Sequence, residues 1–204
     1  MSTQTVNYCN GTKADARAAC IDAYREATNR YENLFPIGTQ FITLCAEQSD
    51  DPLCELSQML RLGMTSDQYV GIDSDEKVIN ENCKRFPDIT FIHGDWIDDL
   101  MGLEPFTPAY IHLDTKNLAD YGPAIAMLGT TMELCPAGCF IAANFVTRNP
   151  YSGEKISIDS VLEGLAKMMG EGLNSWKCVG SFSYCGDGCS AEMSYLLLLN
   201  GGAK

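Results

Sequence analysis

Three aspartates end short β-prone runs and stand where a ligand could be held. They are Asp73 in YVGIDSDE (69–76), Asp95 in ITFIHGD (89–95) and Asp114 in AYIHLD (109–114). A carboxylate just past a buried strand has two readings. It can accept a backbone N–H and begin the next helix. In an open α/β sheet it can instead face the crevice beyond the carboxyl ends of the strands, where ligands bind. A ribose would offer Asp73 two hydroxyl donors, and Ser74, a helix-capping residue type, follows directly. Local sequence leaves both readings of Asp73 open. Two such aspartates, at the ends of successive strands and each before a helical pattern, favour the ligand reading for the pair.

The elements that must position these residues alternate along the chain. Residues 13–35 place Ala16, Ala19, Cys20, Ala23, Tyr24, Ala27, Tyr31 and Leu34 at helical spacing, and Pro36 and Gly38 follow as breakers. QFITLCA (40–46) reads as the first strand. Pro52 suits the first position of a helix that runs to about Arg61 and stops at Gly63. The YVGID strand and a helix over 75–85 come next, then the 89–95 strand and a short helical WIDDLMG. Beyond 109–114, a helix over 118–134 is broken at Cys135-Pro136-Ala137-Gly138, and CFIAANFV (139–146) is a fifth strand. A loop, a helix over 157–169 and two runs joined at CGDGC (185–189) close the chain as a β-hairpin. The pattern predicts one α/β domain over 1–204: a helical lead-in (1–35) and a Rossmann-like core (36–201). The core is a doubly wound, mostly parallel, seven-stranded sheet ending in an antiparallel hairpin.

At 204 residues, 46% hydrophobic and 20% charged, the chain has the composition of a soluble globular domain. Its formal net charge of −13 sets it against broad electrostatic binding of nucleic acid. No run of about 18 apolar residues is present, and MSTQTVNYCNGTKADAR lacks an apolar leader, so a cytoplasmic location is expected. The ten cysteines are then expected to be reduced. Two Cys-x-x-x-Cys pairs, 135/139 and 185/189, suggest a four-thiolate zinc site. The predicted topology puts them at opposite ends of strands spanning roughly 17–20 Å, too far for one ion.

The order of elements and the strand-end residues resemble the class I S-adenosylmethionine-dependent methyltransferases, over about residues 36 to 201. Within that class, AYIHLDTKNLADY and LCPAGCFIAANF are similar to the macrocin and catechol type of small-molecule O-methyltransferases. The resemblance implies S-adenosylmethionine as cofactor. It places Asp73, with Ser74, on the ribose hydroxyls, Asp95 on the adenine amino group, and Trp96 along the adenine ring. A helix cap before WIDDL is the other reading of Asp95. Cys45, Ala46 and Glu47 fall where the methionine portion would lie. The family's glycines are absent from Thr43-Leu44-Cys45-Ala46-Glu47-Gln48-Ser49, and glycines there allow close backbone approach.

Methyl transfer is an in-line displacement, so a hydroxyl acceptor needs alignment and removal of its proton. Metal-dependent relatives hold a divalent ion with a carboxylate ending the fourth strand and an Asp-Asp or Asp-Asn pair ending the fifth. Here Asp114 occupies the first place, but Ala143-Asn144 the second, a poor donor set for magnesium. No metal is therefore expected, and Asp114 and Lys116 are the acid–base candidates, with helix capping the other reading of Asp114. Asn144, Arg148 and Tyr151 are candidates to face the acceptor. His93 and His112 lie inside strands, where a core histidine is the usual occupant. Two further readings stand beside a small-molecule enzyme. One is a non-catalytic or cofactor-binding-only descendant of the fold, and the other a nucleic-acid or protein methyltransferase with a recognition partner. The oligomeric state is not legible.

Overall fold

The computed structural model describes residues 13–46, 48, 51–103, 109–114, 121–147, 156–185 and 192–202, with backbone only at 109, 121 and 185, and the backbone of 5–8. The strands are β1 (Thr5–Tyr8), β2 (Gln40–Leu44), β3 (Tyr69–Asp73), β4 (Thr90–His93), β5 (Ala109–Asp114), β6 (Phe140–Val146), β7 (Trp176–Cys185) and β8 (Glu192–Asn200). The helices are α1 (Lys13–Thr28), α2 (Glu55–Arg61), α3 (Glu76–Arg85), α4 (Trp96–Gly102), α5 (Tyr121–Leu134) and α6 (Ile158–Met169).

One sheet runs β1-β7-β8-β6-β5-β2-β3-β4. Every neighbouring pair is parallel except those made by β8, which enters antiparallel between β6 and β7. The seven expected strands are present with their closing hairpin. An eighth, β1, lies within the predicted helical lead-in and adds parallel to the outer face of β7, Tyr8 opposite Tyr184. TVNY is short and polar, so no periodicity announced it. The order reverses between β2 and β5, which makes a switch point with its crevice beyond the carboxyl ends of both strands.

The pleat separates two cores. Ile42, Val70, Ile72, Ile111, Ile141, Leu196 and Leu198 point to the face covered by α4, α5 and α6. Their neighbours Phe41, Tyr69, Tyr110, Phe140, Tyr195 and Leu197 point to the face covered by α1 and α2. Successive side chains on opposite faces thus give one aliphatic and one aromatic layer. Phe41 stacks on Tyr69 and Tyr110 at centroid distances of 5.4 and 5.0 Å.

Two boundaries differ from expectation. Helix α1 ends at Thr28, because Asn29 turns left-handed at φ 56° and Arg30 N–H bonds back to the Arg25 carbonyl at 3.0 Å. The chain from Tyr31 to Phe35 continues without helix. Pro52 lies in a turn, and α2 starts only after Cys54. Among the described residues no helix is long and apolar enough to cross a membrane.

Gly71 is the tightest point of β3. A Cβ added there would lie 2.8 Å from Phe91 Cδ1, 2.9 Å from Cys45 Sγ and 3.0 Å from Cys45 Cβ. Gly71→Ala is expected to destabilise the fold by about 1–3 kcal/mol, read as a lower urea midpoint at unchanged slope. A variant as stable as the parent would show that the Cys45 and Phe91 side chains move aside freely.

Candidate active site

The carboxyl end of β3 carries the first candidate. Asp73 is half-buried, and its Oδ1 accepts the Asp75 N–H at 2.8 Å. The cap of α3 is Asp75, whose Oδ1 accepts the Lys77 N–H at 2.9 Å. Asp73 is therefore not the helix cap. Its Oδ1 tightens the turn, and Oδ2 takes no partner among the described residues. Ser74 is exposed and its carbonyl oxygen lies 3.1 Å from His93 Nε2. The Gly94 N–H bonds to the Asp73 carbonyl at 3.1 Å, which joins this turn to the end of β4.

Asp95 follows β4 and does cap a helix: its Oδ1 accepts the Ile97 N–H at 3.0 Å at the start of α4. The side chain is exposed, so capping leaves its other oxygen to solvent. Trp96 differs from expectation. It is 2% exposed, packs in the aliphatic core and donates its indole N–H to Thr131 Oγ1 at 2.9 Å. A large ring with one polar atom was spent on joining α4 to α5, not on a surface that a nucleobase could reach.

The segment after β2 is held by buried amides. Cys45 N–H bonds to the Ile72 carbonyl at 2.9 Å, and the buried Cys45 thiol is pushed up to about 12 by burial and then by the charge of Asp73. Cys45 is thus a filled position, packed against Gly71. Ala46 is exposed, and its carbonyl accepts both Gln48 Nε2 and Asn82 Nδ2 at 3.0 Å. Asn82 Oδ1 accepts the Gln48 N–H at 2.7 Å, and Gln48 Oε1 accepts the Leu56 N–H at 3.1 Å in the first turn of α2. Both side chains are buried, at 0% and 3% exposure. Glu47 lies outside the described residues.

A second group gathers at the ends of β5, β6 and β7. Asp114 pairs with Lys13, the first residue of α1, and accepts Asn144 Nδ2 at 2.9 Å. The same Nδ2 donates to the Tyr184 hydroxyl at 3.0 Å. Burial pushes Asp114 up, but the fields of His112 and Lys13 and the hydrogen bonds from Lys13 and Asn144 outweigh it and hold the carboxyl below its usual range. Asp114 is consequently a weak base and a good anchor. Lys116, Arg148 and Tyr151 lie outside the described residues, as do Asn149 and Pro150.

Beneath this group is a cluster that sequence reading did not assemble. Glu55, in the first turn of α2, pairs through Oε2 with His112 Nδ1 and accepts the Tyr69 hydroxyl at 3.2 Å. His112 Nε2 lies 2.8 Å from the Tyr195 hydroxyl, and the two rings stack at 5.7 Å. His112 is a buried strand histidine with both nitrogens engaged. Its partners come from 57 residues upstream and 83 downstream, so no local signal joined them. Cys135 and Cys139 flank the turn into β6, while Cys185 ends β7 at the opposite end of the sheet. Cys189 is outside the described residues, and among those described no three His, Cys, Asp or Glu residues cluster as metal ligands.

Several solved structures share this arrangement. The N-methyltransferase NodS from Bradyrhizobium japonicum, in complex with S-adenosyl-L-homocysteine, superposes with a TM-score of 0.61 at 9% identity, covering 95% of this chain and 89% of that one. An S-adenosylmethionine-dependent methyltransferase from Clostridium acetobutylicum gives 0.59 at 11% identity, over 94% and 93% of the two chains. An O-methyltransferase from Bacillus cereus, in complex with SAH, gives 0.55 at 13% identity, over 89% and 80%. The fold is that of the S-adenosylmethionine-dependent methyltransferases. No protein-family model and no curated protein matches the chain. Within this methyltransferase fold, Asp73 stands one strand from the switch point and Asp114 beside it.

The Asp114 cluster has a signature in pH. A carboxyl whose folded pKa lies below its unfolded value stabilises the fold above the unfolded value, and that contribution is lost as pH falls through the folded pKa. Glu55 is also lowered: burial opposes ionisation, and His112, Arg17 and Thr43 overcome it. Stability is expected to fall as pH drops below about 4, and Asp114→Asn should flatten that fall. Urea unfolding between neutral and acid pH checks this; an unchanged slope in the variant would show that the Lys13 pair contributes nothing.

Proposed function

We propose that the protein transfers the methyl group of S-adenosylmethionine to a hydroxyl of a small-molecule acceptor. The observation that carries this reading is Asp73: a half-buried carboxylate beyond a parallel strand, not consumed as a helix cap, with one oxygen open. Such an oxygen suits a ribose hydroxyl. The exposed oxygen of Asp95 is an acceptor for the adenine amine, and Ser74 adds a hydroxyl at the same rim. Cys45, Ala46 and Glu47 would take the side of the methionine moiety. The bracing of Ala46 by Gln48 and Asn82 replaces glycine flexibility with a fixed backbone, and Gly71 gives the Cys45 side chain its room.

The cofactor would supply an activated sulfonium methyl; this chain's residues supply alignment and a route for the proton. Asp114, Asn144, Arg148 and Tyr151 would orient the acceptor, with Lys116 available as an acid–base group. Asp114 serves best as an ionised anchor because its proton affinity is lowered. No metal enters this reading, since Asp114 is already committed to Lys13 and Asn144 and the second acidic pair is replaced by Ala143 and Asn144. The pattern of the macrocin and catechol type supports oxygen over nitrogen as the acceptor atom. A cytoplasmic setting with reduced thiols fits the same reading.

A second reading is a binding-only descendant, favoured by the glycine-free segment that Gln48 and Asn82 lock in place. Calorimetry with S-adenosylhomocysteine tests both. The parent protein is expected to bind, and Asp73→Ala to bind about 10–100-fold more weakly, the cost of one or two hydrogen bonds to a charged group. No heat at millimolar ligand would remove both readings. Binding without methylation of any acceptor in a hydroxyl and amine panel would leave the second.

A further inference from the structure

Asp73 and Asp95 stand at the ends of neighbouring strands, and the ladder between those strands stops short of both turns. β4 is the outermost strand and is bonded only to β3. Its last paired residue is His93, opposite Asp73. The end of an edge strand, held from one side only, is where a sheet opens most readily. Two bonds continue past that point. The Gly94 N–H donates to the Asp73 carbonyl at 3.1 Å, and His93 Nε2 lies 3.1 Å from the Ser74 carbonyl. A carbonyl oxygen only accepts, so Nε2 carries a proton and donates. Two successive carbonyls of one turn are thus gripped by two successive residues of the next strand.

The groups joined by this clasp are already fixed within themselves. Asp73 Oδ1 accepts the Asp75 N–H at 2.8 Å, and Asp75 caps α3. That bond orients the Asp73 carboxylate within its own turn but does not hold the turn against Asp95. On the other side, Asp95 Oδ1 accepts the Ile97 N–H at 3.0 Å, and the Asp99 N–H bonds to the Asp95 carbonyl at 3.0 Å. The first turn of α4 bears directly on Gly94, because a Cβ added there would lie 2.8 Å from Asp99 Cγ. His93 spans the two halves from 19 residues away in the chain. It is exposed, unlike the core histidine that its strand position suggests, and its one partner among the described residues is the Ser74 carbonyl. An exposed ring that packs little and makes one directed bond serves placement and not burial.

We propose that His93 is a positioning residue for the nucleoside, holding the Ser74 carbonyl so that Asp73 stands at a fixed spacing from Asp95. This rests on the methyltransferase reading above. The amine of adenine and the hydroxyls of its ribose belong to one ligand of limited flexibility. Two carboxylates can serve both ends together only when their own spacing is set beforehand, since ordering a loose turn on binding subtracts from affinity. Without the His93 donor the 73–75 turn keeps its internal bond but is freer to swing about the end of β3. His93 therefore acts through Asp73 and not by touching the ribose.

Calorimetry with S-adenosylhomocysteine tests this on the parent, His93→Leu and His93→Gln, each alone and combined with Asp73→Ala. Leucine removes the donor, whereas glutamine offers an amide N–H to the same carbonyl. Expected for His93→Leu is about 3–10-fold weaker binding, the worth of one ordinary hydrogen bond. His93→Gln should stay within about twofold of the parent, and in the Asp73→Ala background His93→Leu should cost less than about twofold, because residues acting through one another are not additive. The ligand-free His93→Leu protein should also exchange its Gly94 amide proton faster than the parent. Parent-like affinity in His93→Leu overturns the proposal. An equal loss in both backgrounds does the same, and so does a glutamine variant as weak as the leucine one. A parent that binds no S-adenosylhomocysteine removes the methyltransferase reading and the clasp's role with it. A parent that binds, with leucine changing nothing, removes the role of His93 alone. Should His93→Leu fail to fold, His93→Val, a residue suited to strands, takes its place under the same outcomes.

Discussion

The pairing of Glu55 with His112 is the interaction on which the α1–α2 side of this molecule depends. Burying a carboxylate costs several kcal/mol unless its lone pairs are satisfied. Here they are met by the imidazole and by the Tyr69 hydroxyl, with Arg17 adding its field. The pair ties the first turn of α2 to the middle of β5 and, through Tyr195, to β8. It thereby sets where α2 lies against the sheet. A polar cluster of this kind fixes one geometry more sharply than apolar packing, because a half-satisfied version would be worse than none.

The segment after β2 shows the same economy of means in smaller form. Where glycines would give backbone freedom, Ala46 and Gln48 are held by Asn82 and by the first turn of α2. Space is provided from across the ladder instead, since Gly71 leaves room for the Cys45 side chain. The crevice side therefore consists of a rigid backbone edge, the open oxygen of Asp73 and the exposed oxygen of Asp95.

Function in this fold resides in the strand ends, and two kinds of residue meet there. Asp73 ends β3 and Asp95 follows β4 by two residues, so both are placed by local geometry. Asp114, Asn144, Tyr184 and Lys13 come from three strands and a helix, and only their assembly gives Asp114 its lowered proton affinity. A carboxylate that would be an acid–base candidate in isolation becomes an anchor when an ammonium and an amide are placed on it.

Alternation of strands and helices, the closing hairpin and the strand-end aspartates were legible in the chain itself, because hydrophobic period and turn residues act over a few positions. That local physics also determined the two-faced pleat, Phe41 beside Ile42 and Tyr110 beside Ile111, and so the split into an aromatic and an aliphatic core. It was silent on β1, whose four residues are strand only because β7 offers an unpaired edge. It placed Trp96 at a ligand where packing against Thr131 claimed it for the core. Glu55, His112 and Tyr195 were visible only as a helix residue, a core histidine and a strand aromatic. Their joining needed contacts spanning 57 and 83 residues, and hydrogen bonds over such separations are decided by how the sheet is ordered and not by any neighbour in the chain.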